Sequence, residues 1–258
     1  NVLKDIQIEF NIEQQDVKTL IDYSRPELEF IVVNDEGNKY KKLLEILRKK
    51  HANENIFEVN EDKTRCGVIF TPYANNWFGS YGLCNDLKKD LNIDVRFYSG
   101  KQPKKFKEDV PFDKYKNQVQ YDFKNNKFCL LTATKAFGMG INKHNIDYTF
   151  HYGIPSSMEA LYQEAGRAGR NGQHSKCYVL LGEEDESKLQ TVFSKDVSVE
   201  KLKEIQEEVG FDGNDVFRNT FLYLNELEPI DKDFNLIKDL HNRYSKPNSK
   251  QVVNGNVL

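Results

Sequence analysis

Between Gln163 and Arg170 the chain reads Gln-Glu-Ala-Gly-Arg-Ala-Gly-Arg, which sets Arg167 and Arg170 three residues apart beside Gly166 and Gly169. A guanidinium is a planar fork of donors that matches the oxygens of a phosphate, and a glycine neighbour lets backbone and ligand approach closely. On a helix, an i, i+3 pair of arginines shares one face. The chemistry this suits is the gripping of a phosphate. The same pair also fits a solvated helix end, where cations oppose the negative end of the helix dipole.

Upstream, the apolar run from Phe128 to Leu131 leads into Ala133-Thr134-Lys135-Ala136-Phe137-Gly138-Met139-Gly140-Ile141-Asn142-Lys143. A strand that ends in a hydroxyl and a glycine-bearing turn offers backbone N–H groups and a side-chain donor to an anion, at the carboxyl edge where open α/β sheets bind ligands. Gly138-Met139-Gly140 alone is a tight turn, and no third glycine opens a helix, which argues against a dinucleotide site. A second strand end, Tyr98-Ser99-Gly100, is followed by Lys101, Lys104, Lys105 and Lys107 with Phe106 among them. Such a loop is either simply solvated or follows a nucleic-acid backbone.

Positioning these groups takes strands that alternate with helices. Pro26 and the β-branched and aromatic run Phe30 to Val33 start an extended segment. Tyr40, Leu43, Leu44 and Leu47 mark an amphipathic helix, Gly67 to Phe70 a buried strand, Tyr81 to Leu91 a helix and Val95 to Tyr98 a strand. Tyr115 to Phe123 reads as helix, Phe128 to Leu131 and Ile146 to His151 as strands, Ser156 to Ala168 as helix, and Lys176 to Leu181 as the closing strand. The apolar runs are continuous rather than alternating, which predicts an α/β fold with a mainly parallel sheet covered on both faces. After Glu183 come an acidic link and three helical stripes, Leu202 to Val209, Val216 to Leu224 and Phe234 to Tyr244, and then a mobile tail.

The 38% hydrophobic content is low for 258 residues, yet 17 Phe and 13 Tyr argue against disorder. Residues 183–258 carry 10 basic and 16 acidic side chains, against 37 and 40 in the whole chain, so residues 1–182 hold a small basic surplus. Cys66, Cys84, Cys129 and Cys177 are dispersed, without a Cys-x-x-Cys pair, and read as reduced, structural thiols in a reducing compartment. With neither a leader nor a membrane-length apolar run, a cytoplasmic protein without a membrane partner is expected, and a start at Asn1 suggests a fragment of a longer protein.

The stretch from Phe128 to Gly172 resembles motifs V and VI of superfamily 2 helicases. Its wording, Ala-Phe-Gly-Met-Gly-Ile-Asn-Lys and then Tyr-Gln-Glu-Ala-Gly-Arg-Ala-Gly-Arg, is closest to the RecQ-like DNA helicases, over roughly residues 17 to 182. The resemblance implies a RecA-like three-layer sandwich with a C-terminal helical extension. Residues 1–29 would be the end of a first motor domain and the interdomain linker, 30–182 the second RecA-like helicase domain, and 183–258 the acidic extension. It also implies 3′–5′ movement on single-stranded or duplex DNA, with ATP and Mg2+ held in the full-length protein together with an N-terminal RecA-like domain. Arg170 would be an arginine finger and Arg167 its phosphate-binding companion. Gln163, Gly140 and Asn142 would lie toward ATP; Thr134, Tyr98, Ser99, Gly100 and Lys101 would meet the nucleic acid.

Arginines and threonine edge together are expected to jut from one rim of the sandwich. The family's four-cysteine zinc module would have only Cys177, so zinc is not expected, and Asn171 stands where an aspartate is common. The sequence has neither a Gly-x-x-x-x-Gly-Lys-Ser/Thr loop nor an Asp-Glu-x-His run, so this polypeptide by itself is expected to be inactive. An RNA helicase of the same superfamily and a non-catalytic scaffold module are the alternatives.

Overall fold

Apolar runs too continuous for a one-sided strand form the middle of the sheet. All five residues of β2 (Cys66–Phe70) and all four of β4 (Leu130–Ala133) are buried, as are five of the six in β5 (Ile146–His151). The computed structural model describes residues 7–16, 25–60, 63–75, 79–138, 143–155, 157–182, 185–194, 196–209, 215 and 217. With β1 (Leu28–Asn34), β3 (Val95–Tyr98) and β6 (Ser175–Leu181), six strands lie in the order β1-β6-β5-β2-β4-β3. The ladders of β2 with β4 and β5, of β3 with β4 and of β5 with β6 are parallel. Bonds from Ser175 N to Glu27 O and from Asp35 N to Leu181 O hold β1 in the same direction. Register matters most for the site: Phe70 pairs with Ala133 and His151, and Tyr98 pairs with Ala133, so four carboxyl ends finish level.

Helices α1 (Lys39–Glu54), α2 (Ser80–Leu91), α3 (Phe112–Lys124) and α4 (Met158–Ala165) make the crossovers a parallel sheet needs. Toward one face, Cys66, Val68, Phe70, Leu131 and Ala133 pack with Val119 and Phe123 of α3, and with Phe137, Ala165 and Ala168. Toward the other, the Thr132 hydroxyl donates to Ser80 O of α2 at 2.8 Å and the Cys84 thiol to Val95 O. Helices on both faces give the three-layer α/β sandwich expected. Gly67 makes one layer contact possible: a Cβ there would lie 2.1 Å from the buried Tyr148 ring. The four cysteines are free and buried, and burial pushes the Cys66 thiol up to about 11 and that of Cys84 up to about 12, which keeps them inert.

The chain divides into two compact units, residues 1–33 with 44–180 and residues 34–43 with 181–258. In the second, α5 (Glu186–Val192) starts on the Asp185 carboxylate, which accepts from Ser187 N and Lys188 N. Val192 of α5 joins Ile205 of α6 (Val199–Val209) and Phe217 in a small core. Lys39 Nζ lies 2.7 Å from Asp35 and 2.8 Å from Asp215, all three almost wholly enclosed, and Asp215 also accepts from Gly182 N.

Three expectations change. β4 begins two residues later than read, because Phe128 and Cys129 approach the sheet before entering it. α4 ends at Ala165, three residues early, because Gly166 closes it. α5 occupies what read as an acidic link, since Leu189 and Val192 supply a stripe too short to register as a period. The first extension stripe is α6, whereas the other two, apart from Asp215 and Phe217, and the tail lie outside the described residues.

Candidate functional site

Beyond the carboxyl end of β5 the Ser157 hydroxyl caps α4, accepting from Ala160 N at 3.1 Å. α4 then runs back over one face of the sheet, because β6 is parallel to β5 and must start again at the amino end. Gly169, at φ +67°, turns the chain there: its N–H donates to Ile146 O at the first residue of β5. Arg25, itself paired with Glu27, donates from Nη2 to Ala168 O at 3.3 Å and ties the turn to the chain just before β1.

Arg167 and Arg170 therefore sit in a glycine turn past the helix and do not share a helical face. Arg167 is half-buried and its Nε has no hydrogen-bond partner among the described residues. Burial, and next the neighbouring charge of Arg170, hold its pKa below the ordinary arginine value, while Glu164 acts the other way. An arginine keeps its proton under such pressure, so the turn holds two like charges, one partly stripped of water. Arg170 is exposed, with Nε 3.5 Å from Gly166 O. An anion carrying several oxygens relieves both the repulsion and the unmade bond. Gln163 is exposed on α4 and donates to the Glu159 carboxylate at 2.9 Å.

At the opposite end of the sheet, Thr134 leaves β4 with its N–H donating to Tyr98 O at 3.1 Å, and its carbonyl accepts from Phe137 N. Thr134 is 9% exposed, and Ser99 is wholly buried with its hydroxyl donating to Lys101 O. Ser99 thus shapes the loop from inside, while Gly100 and Lys101 are exposed. Tyr98 is half-buried, its hydroxyl accepting from Gln120 Nε2 at 2.8 Å. Lys101, Lys104, Lys105 and Lys107 all face solvent, and Phe106 anchors their loop among Phe97, Phe112 and Tyr115 at ring distances of 5.3 to 6.0 Å. Gly140 and Asn142 lie outside the described residues.

Thr134 and the lysine loop stand at the carboxyl end, whereas the backbone of the arginine turn is bonded to the amino end of β5 through Gly169. The crossover that returns the chain from β5 to β6 separates them. The sequence reading also passed over His151 and Glu164. The last residue of β5 and the last but one of α4 meet at 3.1 Å between Nδ1 and carboxylate. A histidine closing an apolar strand was the available signal.

Residues 38–172 match the helicase conserved C-terminal domain. The ATP-dependent DNA helicase RecQ of Bacillus subtilis is 36% identical over 45% of this chain and 21% of its own length. The Caenorhabditis elegans helicase wrn-1 is 32% identical over 53% of the chain and 12% of its own. A protein of Acanthamoeba polyphaga mimivirus named for an ATP-dependent RNA helicase is 45% identical over 28% of the chain and 13% of its own. The chain thus spans only a small part of the curated relatives it matches. Among solved structures, Saccharomyces cerevisiae Dbp5 bound to RNA and ADP BeF3 shares the fold at TM-score 0.50 and 12% identity, covering 95% of this chain and 53% of that one. By the sheet, the two strand-end segments and the family match, this chain belongs to the helicase conserved C-terminal domain family of superfamily 2, with RecQ-like helicases among its sequence relatives.

Proposed function

We propose that this chain is the second motor domain of an ATP-dependent RecQ-like DNA helicase. The observation that carries the reading is the half-buried Arg167 guanidinium, its Nε without a partner among the described residues, beside Arg170. Bound ATP would supply a terminal phosphate that gains charge as it transfers, with Mg2+ held by the first motor domain. Arg170, exposed and set on a glycine turn, reaches out of the domain toward that phosphate. Arg167, more deeply held, steadies the same oxygens and keeps the turn from collapsing onto Gly166 O. Exclusion of water around two fixed guanidiniums makes their stabilisation of charge large.

The carboxyl end, with Thr134 and the loop from Gly100 to Lys107, follows the phosphates of a single strand through backbone and lysine contacts, which read no sequence. Two ends for two tasks suit a motor, since closure about the nucleotide at one end moves the strand grip at the other.

In the protein carrying both motor domains, Arg170→Ala is expected to lower DNA-stimulated ATP turnover about a thousandfold, or ~4 kcal/mol, with strand binding within about twofold of wild type. Undiminished turnover overturns the assignment. Stimulation by single-stranded RNA exceeding that by DNA assigns the motor to RNA instead, the activity named in the mimivirus relative.

A further inference from the structure

Among the described residues, two of the buried polar atoms that have no hydrogen-bond partner belong to side chains that interact with one carboxylate. Arg167 Nε is one and His151 Nε2 the other, and the carboxylate is that of Glu164. Arg167 follows Glu164 by one turn, its N–H donating to Glu164 O at 3.3 Å, and the carboxylate's charge favours the Arg167 cation, so Glu164 is an anion placed to quench that guanidinium. Instead it accepts from His151 Nδ1 at 3.1 Å. A carboxylate only accepts, so Nδ1 donates that bond, and Nε2 stays enclosed with no hydrogen-bond partner among the described residues.

The imidazole cannot follow the carboxylate if it swings. Its side chain is fully enclosed, it stacks on Phe70 with 5.6 Å between centroids, and it borders a cavity of about 30 Å3 shared with Pro72 and Ile154. Such a space holds about one water. An arrangement serving stability alone would give Glu164 to Arg167, since a charge-assisted bond is the stronger use of a carboxylate and removes the costlier orphan.

We propose that His151 and Glu164 are positioning residues: the histidine withholds the carboxylate from Arg167, so that the guanidinium stays open to phosphate. This rests on reading the arginine turn as a phosphate site. In motor terms His151, at the carboxyl end of β5, ties the strand-gripping end of the sheet to the turn that grips phosphate.

The test uses the 258-residue chain and inorganic pyrophosphate, with affinity and the Arg167 Nε–Hε resonance followed by NMR. His151→Ala is expected to weaken pyrophosphate about fivefold, the size of one partly exposed charge pair, and to shift that resonance as Glu164 takes the guanidinium. Adding Glu164→Gln removes the competing charge and restores affinity to within about twofold of wild type. A double variant as weak as His151→Ala, or a His151→Ala chain that binds as wild type does, overturns the proposal. Should His151→Ala not fold, His151→Leu keeps the bulk and drops the donor, with the same outcomes. Pyrophosphate binding that survives Arg167→Ala instead removes the phosphate reading itself, whatever His151 does.

Discussion

Arg167 and Arg170 are legible in the sequence as a pair, but not their conformation. Spacing of three placed them on a helix; tertiary bonds from Gly169 N to Ile146 O and from Arg25 to Ala168 O end that helix before they arrive. Local propensity could not foresee a cap whose partners are 23 and 143 residues away. Gly169 is where this becomes testable. At φ +67° any side chain is strained, and a Cβ would stand 2.9 Å from Glu27 Cγ and 3.2 Å from Gln173 O. Gly169→Ala should cost about 1–3 kcal/mol in urea unfolding and lower pyrophosphate affinity together with it. Gly172→Ala tests the strain alone, since its φ is +77° but nothing lies within 4 Å of a Cβ there, and it should cost less.

Elements were read more reliably than their ends. Continuous apolar runs gave β2 and β5 nearly to the residue, because a strand buried on both faces can be little else. Helix ends and α5 depended on caps, which involve one or two side chains and leave no period. The lysine loop after β3 shows a further limit: its charges were visible, its rigidity was not. Phe106 converts a solvated segment into a fixed one by entering the cluster of Phe97, Phe112 and Tyr115, with Tyr81 at 6.3 Å. Phe106→Ala keeps every charge and loosens the loop. Single-strand affinity should fall several-fold while its dependence on salt keeps the same slope, whereas Lys101→Ala should reduce that slope by about 0.7. Equal slopes for both variants would exclude Lys101 from phosphate contact.

For the whole molecule, the decisive feature is that a parallel sheet puts the start and finish of each crossover at opposite ends. Residues that follow one another in the chain can therefore lie at opposite ends of the sheet, as the backbones of Ser157 and Gly169 do. The second compact unit makes the same point through Lys39, which meets Asp215 across 176 residues. Lys39 is 8% exposed, Asp35 4% and Asp215 2%, so the lysine neutralises two carboxylates that water does not reach. Breaking such a group by removing one member leaves buried charge unpaired, whereas replacing all members together does not. Lys39→Met should destabilise the chain by about 3–5 kcal/mol, read from the urea midpoint followed at Phe217 and Val192. Combining it with Asp35→Asn and Asp215→Asn should recover most of that loss, since an amide at 35 can still accept from Gly37 N and one at 215 from Gly182 N. A cost below about 1 kcal/mol for Lys39→Met would mean that solvent already shares this group.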